Sequence, residues 1–398
     1  MVSLEEARNL LLSKVKKMKE EEVNIEDALG RVLYEDIYSK IDNPPFPRSP
    51  LDGYAIRGDD TKGASKDNPI YLKVIDKIYA GEVSEKTVKE KEAVRIMTGA
   101  PIPKGSDCVI RQEDTEEIDG IVKIKSELAP YDNYCYKGED FKKGTKLLKK
   151  DTFITSSEIM AIASLGLDKV KVYKKPVVGI LNSGDEIQNP GKPLGYGKIY
   201  NSNGYFLKSR LKELGCEPIL YNLILDKDED IINAIKDMEQ YCNIIISTGG
   251  VSVGEKDIVR LSASMAGYEI LFWKIDMKPG SPMFGAFKGD KIYIGLSGTP
   301  VAAATSFELT CRDIIAKMLC SNKISLKERE VTLKEDFNKV TKKRRFLRVH
   351  LNDNNEVTIN NVYQTPGQVH TMINSNAILE VKPNKSLKKG DVVKVLIW

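Results

Sequence analysis

Histidine is nearly missing from this chain: among 398 residues there are two, His350 and His370. So small a supply argues against a zinc site built on imidazoles and against chemistry shared among several histidines. Cysteine is sparse as well. The six, Cys108, Cys135, Cys216, Cys242, Cys311 and Cys320, form no C-x-x-C pair, and none is closely paired with a histidine. They read as buried or free thiols of a reducing compartment, so a cytoplasmic protein is expected. No apolar run approaches the ~20 residues that a membrane-spanning helix needs, and no membrane association is expected. The first residues carry no signal-peptide pattern. Nor does one sign of charge dominate: 61 Lys and Arg against 57 Asp and Glu leave a net charge of +4. No basic block with interleaved aromatics occurs, so no nucleic-acid partner is expected. The short run Lys342-Lys343-Arg344-Arg345 reads as a solvated edge, with contact to an anionic ligand as the alternative.

What is present is ordinary globular material, 41% hydrophobic and 30% charged, able to bury several cores without disulfides. At ~150 residues per domain, the length predicts roughly two to four domains. Residues 1–40 read as two helical stretches. The first opens with Ser3 and Glu6 at the spacing of a capping box, and Leu4, Ala7, Leu11, Val15 and Met18 follow at helical intervals. Pro44, Pro45, Pro47 and Pro50 then force a stiff, extended segment. From about 70 to 135 the pattern is short and β-rich. Val109 to Arg111 and Ile121 to Ile124 flank Asp119-Gly120, which predicts a hairpin.

Residues 176–320 follow a different pattern. Val177 to Leu181 is a strand candidate; Tyr205 to Leu214, preceded by Ser202 and ended by Gly215, is an amphipathic helix. A strand from Ile219 to Leu225, a helix from Asp228 to Tyr241 and a strand from Asn243 to Ser247 follow. This alternation predicts a doubly wound parallel sheet. Residues 323–398 return to strands, such as Val357 to Ile359 and Val392 to Ile397, and predict a small all-β domain.

In open α/β sheets, ligands bind beyond the C-terminal ends of the strands. Here those ends carry Asn182-Ser183-Gly184-Asp185-Glu186, then Asp226, then Thr248-Gly249-Gly250-Val251-Ser252-Val253-Gly254-Glu255-Lys256-Asp257, then Leu296-Ser297-Gly298-Thr299-Pro300. Glycines let backbone N–H groups approach an anion, which suits phosphate. Yet Asp185, Glu186, Asp226 and Asp257 bring negative charge to the same place, which calls for a cation between acid and phosphate. Each acid also suits a helix cap or a turn. Gly250-Val251-Ser252-Val253-Gly254 matches the G-x-S-x-G elbow of α/β-hydrolases, but a triad would need His350 or His370 from the C-terminal β region. No G-x-G-x-x-G dinucleotide fingerprint occurs. Lys278-Pro279-Gly280-Ser281-Pro282 is a rigid turn headed by a cation, either a plain loop or an anion contact.

Taken together, these motifs resemble the molybdopterin molybdenumtransferase family, which includes MoeA and the gephyrin E domain. Ser49-Pro50-Leu51-Asp52-Gly53-Tyr54-Ala55 is similar to its S-x-x-D-G-Y-A, and Ile96 to Gly105 to its I-x-T-G-A-P-x-P-x-G. Gly138-Glu139-Asp140, Ser183-Gly184-Asp185-Glu186, Ile199-Tyr200-Asn201-Ser202-Asn203 and Thr248 to Gly254 match further motifs in the family's order. The resemblance runs from about residue 20 to 320 and weakly to the end.

The resemblance implies an elongated multidomain α/β plus β subunit. A helical and linking domain I would comprise 1–43 and 141–175, with a β-rich inserted domain II at 44–140. A doubly wound, MogA-like α/β domain III would span 176–322, and a small C-terminal β domain IV 323–398. It implies a homodimer and insertion of molybdate into adenylylated molybdopterin, with release of AMP and a requirement for Mg²⁺. A molybdopterin adenylyltransferase and cofactor-accepting enzymes are the implied partners. Asp52, Thr98 and Asp140 fall on the family's cross-subunit face of the cleft, and Glu186, Asp226 and Asp257 on its α/β face. The last three are the expected Mg²⁺ ligands. Gly249, Gly250 and Ser252 would hold phosphate, Ser297 and Pro300 would shape the wall, and Lys278 would meet anionic oxygens.

Three departures stand out. Ser281 replaces the second lysine of the family's K-P-G-K-P; Thr299 replaces the asparagine of G-N-P; and Tyr134-Cys135-Tyr136-Lys137 lacks the arginine usual before G-E-D. Each removes a polar handle, with Ser281 expected beside an oxyanion. The second functional reading is therefore a diverged paralogue that carries the pterin without inserting metal, or one that handles tungstate.

Overall fold

The computed structural model describes residues 1–221, 227–250, 258–360 and 364–398. They form two compact units, one of Met1–Glu35, Lys150–Ile159 and Asp168–Trp398, the other of Asp36–Lys149 and Met160–Leu167. Among the described residues, no helix is long and apolar enough to cross a membrane. All six cysteines are free thiols.

The first unit opens with the expected capped helix, Leu4–Lys14. The Ser3 hydroxyl accepts from the Glu6 N–H at 3.1 Å, and the Glu6 carboxylate accepts from the Ser3 N–H at 2.8 Å. The second helical stretch expected in residues 1–40 is absent. In its place a strand, Glu20–Asn24, pairs antiparallel with Lys169–Tyr173. Tertiary pairing overrides the helical propensity of the glutamates: Glu20 and Glu22 alternate along the strand and face Lys171 at 3.6 Å and Lys169 at 3.7 Å.

The sheet that positions the site has six strands in the order Glu217–Leu220, Val177–Asn182, Ile244–Thr248, Lys291–Leu296, Phe284–Lys288, Glu269–Trp273. The first four run parallel, as expected. The last two are antiparallel, so the sheet is mixed at one edge. Successive side chains enter different cores. Ile244, Ile246, Ile292 and Ile294 pack with Leu207 and Leu211 of the helix Ser202–Glu213 on one face. Ile245 and Tyr293 pack with Ile231, Ile235 and Met238 of the helix Asp228–Glu239 on the other. Both faces are covered, which is the doubly wound arrangement. Gly215 takes φ +81° just past the first of these helices and ends it, as its sequence position predicts. The N-cap is Asn201, whose side chain accepts from the Gly204 N–H.

Beyond Leu296, a helix starts at Pro300 and runs through a π-helical turn, Phe307–Cys311, to Met318. It is buried nearly throughout, and so is its one glutamate, Glu308. Arg312 Nη1 donates to Glu308 at 2.9 Å and Arg210 Nε at 2.7 Å. The C-terminal residues close a five-stranded barrel, Lys327–Leu333, Glu356–Ile359, Arg345–Leu351, Ala377–Val381 and Val392–Ile397, around Leu333, Phe337, Val349, Leu379 and Val395.

The second unit is built on a six-stranded sheet in the order Cys108–Arg111, Gly53–Ile56, Glu92–Ile96, Ile70–Ile78, Ile121–Ile124, Thr115–Ile118. The Asp119-Gly120 hairpin forms, with φ +50° and +76° at its two turn residues. Its first arm is Thr115–Ile118, not Val109 to Arg111, which pairs with Gly53–Ile56 instead. Positive φ at both positions matches the twist of a two-residue hairpin, so the turn dictates the adjacent arm.

Replacing Glu308 with Ala leaves two largely buried guanidiniums without their shared acceptor. Denaturant unfolding is expected to show a loss of about 3–5 kcal/mol, and Glu308→Gln a smaller one. A Glu308→Ala protein as stable as wild type would mean the triad is solvated.

Candidate functional site

The strand ends meet at a pocket of about 410 Å³ in the first unit, a volume suited to a small organic ligand. Its lining includes Ser183, Glu186, Ile187, Ile199, Tyr200, Asn203, Thr248, Gly249, Gly250, Pro282, Ser297, Thr299 and Pro300. Gly249 and Gly250 take φ of +94° and +62°. A side chain at Gly250 would meet Val259 at 2.4 Å, and one at Gly249 the Ser183 carbonyl at 2.7 Å, so both positions admit only glycine. Gly298 lies against Gly249, with 3.3 Å from an added Cβ to the Gly249 Cα. The glycines thus let the loop pack against Ser183 and Val259 while it lines the pocket.

Polar side chains fix the loops around it. Asn203 Nδ2 donates to the Gly298 carbonyl at 2.8 Å, and the Ser297 and Thr299 hydroxyls share a 3.0 Å hydrogen bond. Thr299, at the position of the lost amide, is therefore spent on its own loop. The Ser183 hydroxyl is buried and, among the described residues, has no hydrogen-bond partner. An unmade hydrogen bond in such a place costs free energy until a ligand or water supplies it.

Pro282 ends the turn that begins at Lys278, and this turn leads from the pocket wall to a second feature. The Lys278 N–H donates to the Arg344 carbonyl and the Phe346 N–H to the Lys278 carbonyl, both at 2.9 Å. Lys278, Arg345, Arg348, Gln364 and Pro366 line a small recess there. Arg345 and Arg348 are 4% and 2% exposed. Arg348 donates to the Thr371 hydroxyl, at 2.9 Å from Nη2, and Arg345 Nη1 has no partner among the described residues. Among the described residues, no carboxylate pairs with either. Burial, then the neighbouring Arg345, pulls the Arg348 guanidinium down to about 10, and burial also lowers Arg345. Both remain cationic at neutral pH. Buried positive charge without a counter-ion selects an anion. The recess adjoins the pocket: the Val301 N–H, next to the pocket residue Pro300, donates to the Pro366 carbonyl at 2.9 Å.

The sequence points to this recess incompletely. Lys278 is among the expected residues, but Arg345 sits in the basic run that reads as a solvated edge. That run divides: Arg344 pairs with Glu380 and Glu5, while Arg345 turns inward. Ser183, Tyr200, Asn203, Arg345 and Arg348 are absent from the expected set. The signal for the arginines is that they bracket Phe346 and Leu347 in an otherwise apolar run of a strand buried along most of its length. Ser281 donates its hydroxyl to the Ile275 carbonyl at 2.8 Å and so closes its own turn. Glu186 is exposed at the pocket, whereas Asp226, Ser252 and Asp257 lie outside the described residues. Among the described residues, no group of three or more His, Cys, Asp or Glu could hold a metal. The hydrolase reading finds no support at His350, whose ring is bonded to the Asn374 carbonyl.

Asp52, Thr98 and Asp140 belong to the second unit. Asp52 accepts from both the N–H and the hydroxyl of Thr98, each at 2.7 Å, and Asn43 Nδ2 donates to Asp140 at 2.9 Å. The Thr98 N–H, then its hydroxyl, holds the Asp52 carboxyl below the usual aspartate range. Thr98→Val removes only the second bond. In a carboxyl NMR titration, the Asp52 pKa is expected to rise part of the way toward its ordinary value. An unmoved pKa would contradict this geometry.

Three family models match the chain in order: the MoeA N-terminal region (domain I and II) over residues 2–166, the "Probable molybdopterin binding domain" over 179–317, and the MoeA C-terminal region (domain IV) over 330–398. A molybdopterin molybdenumtransferase of Staphylococcus epidermidis is 35% identical over 399 aligned residues, covering 100% of this chain and 95% of the relative. One of Staphylococcus aureus matches with the same identity and coverage. The crystal structure of a molybdopterin biosynthesis MoeA protein from Pyrococcus horikoshii superposes with a TM-score of 0.84 at 30% identity, covering 100% of both chains. A second structure from that organism gives 0.87 at 32%, covering 100% of this chain and 99% of the other. Similarity of this extent, along the whole length, makes the chain a member of the molybdopterin molybdenumtransferase family, with a role in molybdenum cofactor biosynthesis.

Proposed function

We propose that the pocket binds adenylylated molybdopterin and that molybdate binds at the adjoining arginines, whose recess of about 10 Å³ widens to admit it, and enters the dithiolene as AMP leaves. The observation that carries this is the pairing of a glycine-lined pocket with buried, unpaired arginines. One accommodates phosphate; the other demands an anion. In such a reaction, positioning and neutralisation of charge do most of the catalysis. Gly250 offers its backbone N–H to phosphate, and Gly249, whose own N–H donates to the Leu296 carbonyl at 3.3 Å, keeps the loop close to it. Ser297 and Pro300 form the wall, and Lys278, Arg345 and Arg348 hold the oxyanion. Molybdopterin bound without turnover, as in a carrier, is not favoured, since the curated relatives are named as transferases.

Glu186 faces this pocket with hard oxygen donors, and no imidazole or thiolate lies among the described lining residues, which fits Mg²⁺ better than a softer ion. Glu186, Asp226 and Asp257 would hold it. When bound, Mg²⁺ supplies positive charge against the phosphate oxygens. The family's cross-subunit cleft supports a homodimer in which Asp52, Thr98 and Asp140 of the partner subunit complete the site, with an adenylyltransferase supplying the substrate in the cytoplasm.

The test is AMP release from adenylylated molybdopterin with Mg²⁺ and molybdate. Release is expected only with oxyanion present. Arg348→Ala is expected to raise the molybdate concentration for half-maximal release about tenfold or more, the scale of a lost charged hydrogen bond, while the KM for the adenylate stays unchanged. Tight adenylate binding with no AMP release under molybdate or tungstate would overturn the transferase reading.

A further inference from the structure

The pocket has two unlike kinds of lining. Gly249, Gly250, Ser183, Ser297 and Thr299 are polar or bare backbone. Ile187, Ile199 and Tyr200 are largely apolar. These three belong to a flap, residues 184–200, that leaves the strand Val177–Asn182 and returns at the helix Ser202–Glu213. The flap is internally braced. Ile187–Gln188 and Ile199–Tyr200 pair in parallel; the Ile199 N–H donates to the Glu186 carbonyl at 2.8 Å, and Gln188 Nε2 to the Pro193 carbonyl at 2.9 Å.

Tyr200 is anchored by its edge. Its hydroxyl donates to the Lys192 carbonyl at 2.7 Å, yet the residue is 43% exposed and lines the pocket. An anchored ring presents a face at little entropic cost, and planar heterocycles stack on such faces. Ile199, 55% exposed beside it, extends the apolar surface. The Ser183 hydroxyl, without a partner among the described residues, lies against the glycine loop, 3.5 Å from a Cβ built on Gly250.

We infer that Tyr200 is the stacking wall for a planar heterocycle of the substrate, and that Ser183 donates its hydrogen bond to the phosphate held at the glycine loop. The ligand thus lies with its ring toward the flap and its phosphate toward the sheet. This rests on the proposed substrate, and it adds the direction in which that substrate binds. The adenylate offers two planar heterocycles, adenine and pterin, with the same stacking chemistry.

Calorimetric titration of the full-length protein with AMP and, separately, with molybdopterin tells them apart. Tyr200→Ala is expected to weaken about tenfold whichever ligand carries the stacked ring and to leave the other unchanged. Tyr200→Phe, which keeps the ring but loses its anchor to the Lys192 carbonyl, weakens binding less than Tyr200→Ala does. In turnover, Tyr200→Ala raises the KM for the adenylate and leaves kcat nearly unchanged. Ser183→Ala weakens AMP but not adenosine. Unchanged affinity for both ligands in a folded Tyr200→Ala protein overturns the inference, as does a Tyr200→Phe variant as impaired as Tyr200→Ala. A wild-type protein that binds these ligands yet never releases AMP would sink the proposed reaction, while the titrations would still decide the role of Tyr200.

Discussion

Glu308 lies buried in the helix that begins at Pro300, and a buried carboxylate persists only where its charge is met. Arg312, one turn on, and Arg210, from the helix Ser202–Glu213, meet it. Much of the site is laid out from that fixed point. Arg210 shares its helix with Asn203, which grips the Gly298 carbonyl at the pocket. Pro300 begins the buried helix and lines the same pocket. Ser306, halfway along, faces Gly280, where a Cβ would come within 2.1 Å of its hydroxyl oxygen. The turn headed by Lys278 can lie this close only because that residue is glycine, which also takes φ +95° there. Pocket and cationic recess are therefore two faces of the packing around one helix.

The sheet and its loops are legible in the sequence because their causes are local. Apolar runs at Val177, Asn243 and Lys291 have few ways to be buried other than as parallel strands between helices. Glycines at 249, 250 and 298 announce close backbone approach, and the structure shows why the first two are needed and how tightly the third is packed. Where local signals compete, the reading falters. Glu20 to Asn24 has helical propensity, but lysines on a strand more than a hundred residues away turn it into a β-edge. The first arm of the Asp119-Gly120 hairpin is similarly displaced, because the turn pairs the strand next to it and not the more apolar one upstream.

The cationic recess is harder to see, because burial of charge is a property of the assembled fold. In the sequence, Arg344 and Arg345 are neighbours in one basic run. In the structure, one forms ion pairs with Glu5 and Glu380, and the other enters the base of the barrel with a guanidinium nitrogen unpartnered. Strand alternation separates them. The same logic qualifies Ser281 and Thr299. As replacements for a lysine and an asparagine they look like losses at the site, yet both hydroxyls are engaged within their own loops.

The central claim is that two buried arginines and Lys278 hold the oxyanion beside the substrate pocket. Anomalous diffraction at the molybdenum absorption edge, from crystals of the protein equilibrated with molybdate, locates the metal without any assumption about the reaction. The account predicts one dominant anomalous peak between Lys278, Arg345 and Arg348, weakened in Arg348→Ala. A peak at the glycine loop, with none at the arginines, would contradict it.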